Sequence, residues 1–290
     1  MPRASVRLCT SQVLGLILAI SKNLLSRVLV GIIAIPVIIY ISLYGGLPIV
    51  VFASMVSLIG SYELSYLLSK SGRFVKYLLP LPVAIVTFLF SYQQFQIGLL
   101  VVIITALIMA LVAVFSNNVQ TLKNSLVNSI FAMIYPGVLL AAIPLLSHFD
   151  PDGGKWLVAM FIIIWCADTA AYFGGRATGK RKLASEVSPG KTVEGLWWGF
   201  LGALLSAVVI CFTFLPPSEL TFLLPVSIII SGIGVVGDLF ESSLKRAVDV
   251  KDSSRIIPGH GGVLDRFDSV LFAAPLLYIF LRLRDLMAGI

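Results

Sequence analysis

About nine stretches of this chain are apolar over the roughly 20 helical residues that a hydrocarbon core demands. They run approximately over 24–43, 47–68, 76–92, 97–115, 125–146, 156–173, 193–214, 222–240 and 267–283. Polar and turn-forming residues separate them: Gly45 and Gly46, Lys70 to Arg73, Gln93 to Gln96, Ser116 to Gln120, Asp150 to Gly154 and Pro216 to Glu219. With 58% hydrophobic and 12% charged residues among 290, the chain holds more apolar surface than one soluble core can bury. The expected class is an all-α polytopic integral membrane protein of about nine transmembrane helices. Residues 1–23 form an interfacial or disordered lead-in, since the apolar run at 12–20 is too short to span, although Arg3 and Arg7 ahead of it also permit a signal peptide. Residues 24–155 form an N-terminal transmembrane block and 156–290 a C-terminal one.

Orientation follows from the cations, because positively charged loops stay cytoplasmic. Lys22 and Arg27 precede the first segment; Lys70, Arg73 and Lys76 follow the second, and Lys123 the fourth. Arg176, Lys180, Arg181, Lys182 and Lys191 follow the sixth; Lys245, Arg246, Lys251, Arg255 and Arg266 follow the eighth. Nine spans put all of these on one side. Arg282 and Arg284 disagree, falling at the opposite end together with Lys155. The net charge of +7 is then topogenic and suits anionic lipid, and nucleic acid is excluded as a partner because no soluble basic domain carries the charge. Cys9, Cys166 and Cys211 have neither disulfide nor zinc spacing, and His148 and His260 cannot cage a metal alone. Any metal here is a hard cation held by carboxylates.

Two cytoplasmic loops mix cations with carboxylates and glycines. In the later one, Asp238, Ser242, Lys245 and Asp249 share a helical face. Asp249 is equally consistent with a solvated helix end. Asp238 follows an apolar run, where an ionised carboxylate is costly unless paired or bound to an ion. Downstream, the glycines of 258–262 allow close backbone approach to a ligand, and Asp265 and Asp268 start the last helix at i and i+3. Together with Asp238 these residues suit Mg²⁺ and a polyphosphate, although Asp265 also fits simple N-capping. His260 is a candidate general acid or base, or a donor to phosphate. In the earlier loop Asp168, Tyr172 and Arg176 stand in an i, i+4, i+8 row, and Arg176, Lys191 and Thr192 suit phosphate; "GKT" lacks the upstream glycine and strand of a P-loop.

These residues carry a resemblance to a family. "GDLFESSLKRAVDVKDSSRIIPGHGGVLDRFDS" closely resembles the signature of the phosphatidate cytidylyltransferases, and "DTAAYFGGRATGKRKLASEVSPGKTVEG" is similar to that family's second block, departing at Gly190, where lysine is usual. The likeness is specific over 168–269; earlier it rests on hydropathy and on Glu63, which resembles a polar residue of the family's early helices. The resemblance implies condensation of phosphatidic acid with CTP to CDP-diacylglycerol and pyrophosphate, as part of phospholipid biosynthesis. It implies an active site at the cytoplasmic ends of the C-terminal helices, in a bacterial inner membrane, within a homodimer. Asp238 and Asp265 would hold Mg²⁺, with a second cation nearby. Lys245, Arg246, Lys251, Asp252, His260, Arg266 and Asp268 would complete the catalytic group. Asp168, Tyr172, Arg176, Ser188, Lys191, Thr192, Glu194, Ser242, Gly259, Gly261, Gly262 and Ser269 would bind CTP and the lipid headgroup. Two alternatives stay open: a CTP-dependent lipid kinase, which would transfer the γ-phosphoryl group, and a secondary transporter, against which the charges cluster at one face rather than the midplane.

Overall fold

The computed structural model describes residues 30–68, 77–115, 127–149, 152–254, 256–257 and 261–289. The expected lead-in and the cations at positions 70, 73, 76 and 123 lie outside them. The elements in chain order are α1 (Val30–Tyr44), α2 (Gly46–Leu67), α3 (Pro80–Ser91), α4 (Phe95–Phe115), α5 (Val127–Ser147), α6 (Gly153–Thr178), β1 (Lys182–Ala184), β2 (Ser188–Thr192), α7 (Val193–Thr213), α8 (Leu220–Arg246) and α9 (Leu264–Ala288). Among the described residues six helices are long and apolar enough to cross a membrane, so this is a predominantly helical membrane protein. The expectation of nine spans is met at six by that measure. Helix α3 has 12 residues, about 18 Å of rise, well short of the core thickness. Helix α9 has 25 residues but carries charges at both ends, from Asp265 to Asp268 and from Arg282 to Asp285. One departure from the all-α expectation is a small antiparallel hairpin, β1 against β2, pairing Lys182 with Thr192.

Successive helices alternate in direction, which gathers the chain's connections at two ends. At one, the turn between α1 and α2 meets the end of α5, with Gly45 against Ser147. At the other lie the end of α2, the hairpin, the end of α8 and the start of α9. The most extensive pairings are α6 with α7 and α8 with α9. Within α5, Pro136 removes a backbone donor and would collide with the preceding turn of an ordinary helix. The backbone widens there into a π turn over Met133–Val138, with Leu139 N–H donating to Ile134 O at 3.1 Å. That turn buries the Tyr135 ring against Phe131, Phe240 and Phe272, at centroid distances of 5.3, 5.4 and 6.2 Å.

Arg282 and Arg284 now find their reason. Arg284 pairs with Glu219 at 2.8 Å and lies over the rings of Trp156 and Phe222, at 5.2 and 5.1 Å. Arg282 lies 5.3 Å over both Phe149 and Tyr278. Lys155 pairs with Asp152 at 2.8 Å. These cations are committed to packing and pairing at their own end, where cation–π contact suits partly dry guanidinium.

Helices α8 and α9 approach most closely at Gly237, where an added Cβ would lie 2.4 Å from the backbone oxygen of Asp268. Gly237→Ala is expected to force the pair apart at a cost of about 1–3 kcal/mol. Gly232→Ala on the same helix meets only the Phe200 ring at 3.5 Å and should be neutral or mildly stabilising. Thermal unfolding midpoints of the two variants in detergent check the difference; equal midpoints would contradict the close approach.

Candidate active site

The site begins with a carboxylate the motifs did not assign. Glu63, about one turn before the end of α2, is 1% exposed. Its two oxygens accept from the backbone N–H groups of Val263 and Leu264, at 3.0 and 2.8 Å, and from the hydroxyls of Ser254 and Ser253, the latter at 3.1 Å. The start of a helix leaves N–H groups unpaired and carries partial positive charge. A buried anion from α2 therefore caps α9 and draws the 253–254 loop against it.

Ser253 hands the network on to Asp265, which stands in the first turn of α9 ahead of its apolar segment. One Asp265 oxygen, Oδ2, accepts from Gly262 N–H at 2.8 Å and Ser253 N–H at 3.0 Å, and lies 2.9 Å from the Ser253 hydroxyl, whose one proton it shares with Glu63. The other, Oδ1, takes the Lys245 ammonium from α8. Burial works against a charge here, but the Lys245 ammonium and the Gly262 N–H together hold the Asp265 carboxyl low, at about 2. Lys245 is itself buried and also reaches Glu241 Oε1 at 3.3 Å. No larger residue fits at 262, where a Cβ would lie 1.9 Å from Ser253 Oγ and 2.6 Å from Glu63. Gly261 has a left-handed φ of 81°, so the glycine pair is a requirement of this junction itself.

A second cluster lies on the α6–α7 side. Lys191, at the end of β2, reaches Asp238 Oδ2 at 2.6 Å, and Ser242 Oγ donates to Asp238 Oδ1 at 3.3 Å. Asp168 from α6 lies within electrostatic reach of Lys191 and Asp238. Asp268 lies within reach of Asp238, Lys245 and Asp168, and accepts from Ser269 N–H at 2.6 Å. Carboxylates from α6, α8 and α9 and cations from β2 and α8 thus converge at one end of the bundle. Two deeply buried polar atoms beside them, the Tyr135 hydroxyl and Glu241 Oε2, have no hydrogen-bond partner among the described residues.

The remaining predicted residues make local contacts or lie exposed. Thr192 is the N-cap of α7, its side-chain oxygen accepting from Gly195 N–H at 3.1 Å. Glu194 accepts from the backbone N–H groups of Lys180 and Arg181, at 2.9 and 3.1 Å, and pairs with the Arg181 side chain at 3.2 Å. It holds the chain entering the hairpin. Ser188 pairs in register with Ala184. Arg176 and Tyr172 contact each other at 3.4 Å on an exposed surface. Arg246 leaves the cluster for the carbonyls of Val250 and Val187, at 3.0 and 3.4 Å, tying α8 to the hairpin. Asp249 lies beyond the end of α8 with φ of 58°, off the row it was expected to share with Asp238. Lys251, Asp252 and Arg266 are exposed, the first two on the loop facing α2. Gly259 and His260 lie outside the described residues.

Sequence reasoning did not assign Glu241, Ser253 or Tyr135. Glu241 was legible as a carboxylate one turn before Lys245; Ser253 and Tyr135 have no sequence signal beyond being polar.

A phosphatidate cytidylyltransferase of Bacillus subtilis (strain 168) is 44% identical over 152 residues, 52% of this chain and 56% of that protein. One of Haemophilus influenzae is 44% identical over 172 residues, 54% of this chain and 58% of that protein. The chain thus spans about half the length of these two relatives. A phosphatidate cytidylyltransferase of Staphylococcus aureus (strain COL) is 35% identical over 259 residues, 88% of this chain and 98% of that protein. Since residues 25–284 match the model of the cytidylyltransferase family, the chain belongs to that family.

Proposed function

We propose that this protein is a phosphatidate cytidylyltransferase, condensing CTP with phosphatidic acid to give CDP-diacylglycerol and pyrophosphate. The observation that carries the proposal is the convergence of Asp168, Lys191, Asp238, Lys245 and Asp268 at one end of an apolar bundle. Full-length similarity to a protein of that name supports it. In this reaction a lipid phosphate oxygen attacks the α-phosphorus of CTP, a new P–O–P linkage forms, the bond to the β-phosphate breaks and pyrophosphate leaves. The nucleophile is already anionic near neutral pH, so no side chain has to remove a proton. Catalysis is positioning and charge neutralisation.

Lys191 and Lys245 supply ammonium groups to phosphate oxygens, one from each side of the cluster. Ser242 orients Asp238. The donor chemistry suits Mg²⁺, a hard cation, because the side chains that converge here are the carboxylates Asp168, Asp238 and Asp268. That arrangement suits an ion taking one or two carboxylates and filling its octahedron with water and substrate phosphate. Asp238 would hold it, and Asp268 stands closest in role to a ligand for a second cation. When bound, Mg²⁺ would neutralise triphosphate charge and help the leaving pyrophosphate. Asp265, the other carboxylate assigned to metal from the sequence, takes the Lys245 ammonium, the Ser253 N–H and hydroxyl and the Gly262 N–H, against one Lys191 and one Ser242 contact for Asp238, so its role in this proposal is to position Lys245.

The same end is the cytoplasmic one in this proposal, because the cations of the opposite end are paired: Lys155 with Asp152 and Arg284 with Glu219. The membrane is then a bacterial inner membrane. Family precedent extends the proposal to a homodimer.

Purified protein given phosphatidic acid, Mg²⁺ and CTP labelled at either the α or the γ phosphate should place α label in lipid and γ label in pyrophosphate. Asp238→Asn should lower that rate by about 10²-fold or more, and chelation of divalent cations should abolish it. Gamma label in lipid would make the protein a lipid kinase. Glu63→Gln keeps the shape but turns an amide N–H₂ toward donors, at a cost of about 1–3 kcal/mol. Its expected outcome is a lowered unfolding midpoint together with a lowered kcat, and an unchanged midpoint would show that the cap does not hold α9.

A further inference from the structure

A cavity of about 680 Å³ lies between the end of α2 and the loop that follows α8, with Ser253 and Glu63 among its lining residues. Tyr62, Tyr66, Leu67, Val250, Asp252 and Ile256 line it. Its size is that of a small-molecule pocket, and the mechanism above leaves it unused. The charge of its walls argues against a polyphosphate: among the described lining residues Lys251 is the one cation, set against Asp252 and Glu63, and Glu63 spends both oxygens on α9 and its loop. What the walls offer is flat and partly apolar surface with one available acceptor. Tyr62 and Tyr66 are one helical turn apart on α2, and Tyr62 is braced by the Tyr77 ring at 6.2 Å. Tyr66 is 57% exposed. Asp252 is exposed and has no hydrogen bond or ion pair among the described residues.

Resting on the proposed use of CTP, we propose that this cavity is the cytosine subsite. The base stacks on the tyrosine wall, with Asp252 accepting from its exocyclic amine. Stacking on tyrosine is how proteins hold a splayed base. A carboxylate accepts from the amine of cytosine and repels the carbonyl oxygen that uracil carries at the same position. Ser253 lines the cavity and donates to Asp265, which pairs with Lys245, so base subsite and phosphate cluster share a wall.

The test compares kcat/KM for CTP and UTP in the full-length protein, in Asp252→Asn, Tyr66→Ala and Tyr66→Phe, with phosphatidate varied in parallel. The inference expects the wild type to prefer CTP and Asp252→Asn to shrink that preference at least tenfold, because an amide can donate to uracil as well as accept from cytosine. Tyr66→Ala should raise KM for CTP and Tyr66→Phe restore it, with KM for phosphatidate unmoved in every variant. An unchanged CTP to UTP ratio in Asp252→Asn overturns the subsite, as does a change confined to KM for phosphatidate, which would give the cavity to the lipid headgroup. Equilibrium binding of CMP and UMP without lipid separates the two proposals. Selective CMP binding lost in Asp252→Asn supports the subsite even if no lipid product forms, whereas cytidylyl transfer without selective binding sinks the subsite and leaves the activity standing.

Discussion

A carboxylate buried at 1% exposure in an apolar helix has to be satisfied or it cannot stay charged, and Glu63 is satisfied entirely by residues about 190 to 200 positions later in the chain. That single requirement organises the functional end of the molecule. The N–H groups opening α9 need an acceptor, the Glu63 anion needs donors, and the bilayer offers neither. Each solves the other's problem only if α2 stands against the start of α9. The N-terminal block, which carries none of the sequence motifs, thereby fixes the geometry of the C-terminal one.

From Glu63 the polar contacts run without interruption through Ser253 to Asp265, then Lys245, then Glu241. Such a network is strong when every member is paired and costly when one is not. It also explains the glycines at 261 and 262. Their absence of side chains was read as room for a phosphate, but a Cβ at 262 would strike Ser253 and Glu63, so the space they leave is already taken by the network. In the proposed chemistry this rigidity has a use: transfer by positioning and charge neutralisation needs an ammonium held still before substrate arrives, and Lys245 is held by two carboxylates from two helices.

Much of this was legible. Apolar length located six of the nine expected spans to within about six residues, because the hydrocarbon core imposes one dimension on every helix that crosses it, while the segments at 24–43, 76–92 and 267–283 fall outside those six. Asp238, Lys245, Asp265 and Asp168 could be singled out because a charge next to an apolar run is expensive and therefore purposeful. Side-chain assignments within the loops were less legible. Thr192 and Glu194 sit among basic residues that suggest phosphate, yet Thr192 caps α7 and Glu194 holds the hairpin, since a helix start and a tight turn also need acceptors. Composition does not distinguish those two demands. Nor can it show that Glu63 meets α9, a contact of very long sequence separation, or that Pro136 widens α5 and buries the Tyr135 hydroxyl beside the carboxylates.

The cations at the opposite end carry the argument one step further. Counted as charges, Arg282 and Arg284 oppose the orientation set by five other loops. Counted with their partners they do not, because Glu219 and Asp285 neutralise Arg284, and four aromatic rings flank the two guanidinium groups. A topogenic cation acts by remaining uncompensated on its side of the membrane, whereas a guanidinium packed on rings and paired with carboxylates is part of the helix-end packing. The rule and the exceptions thus describe two different physical jobs for the same residue type. At the other end Lys191 and Lys245 meet carboxylates from three helices, which in the proposed reaction is where an anionic nucleotide and an anionic lipid headgroup are both drawn without either leaving its own phase.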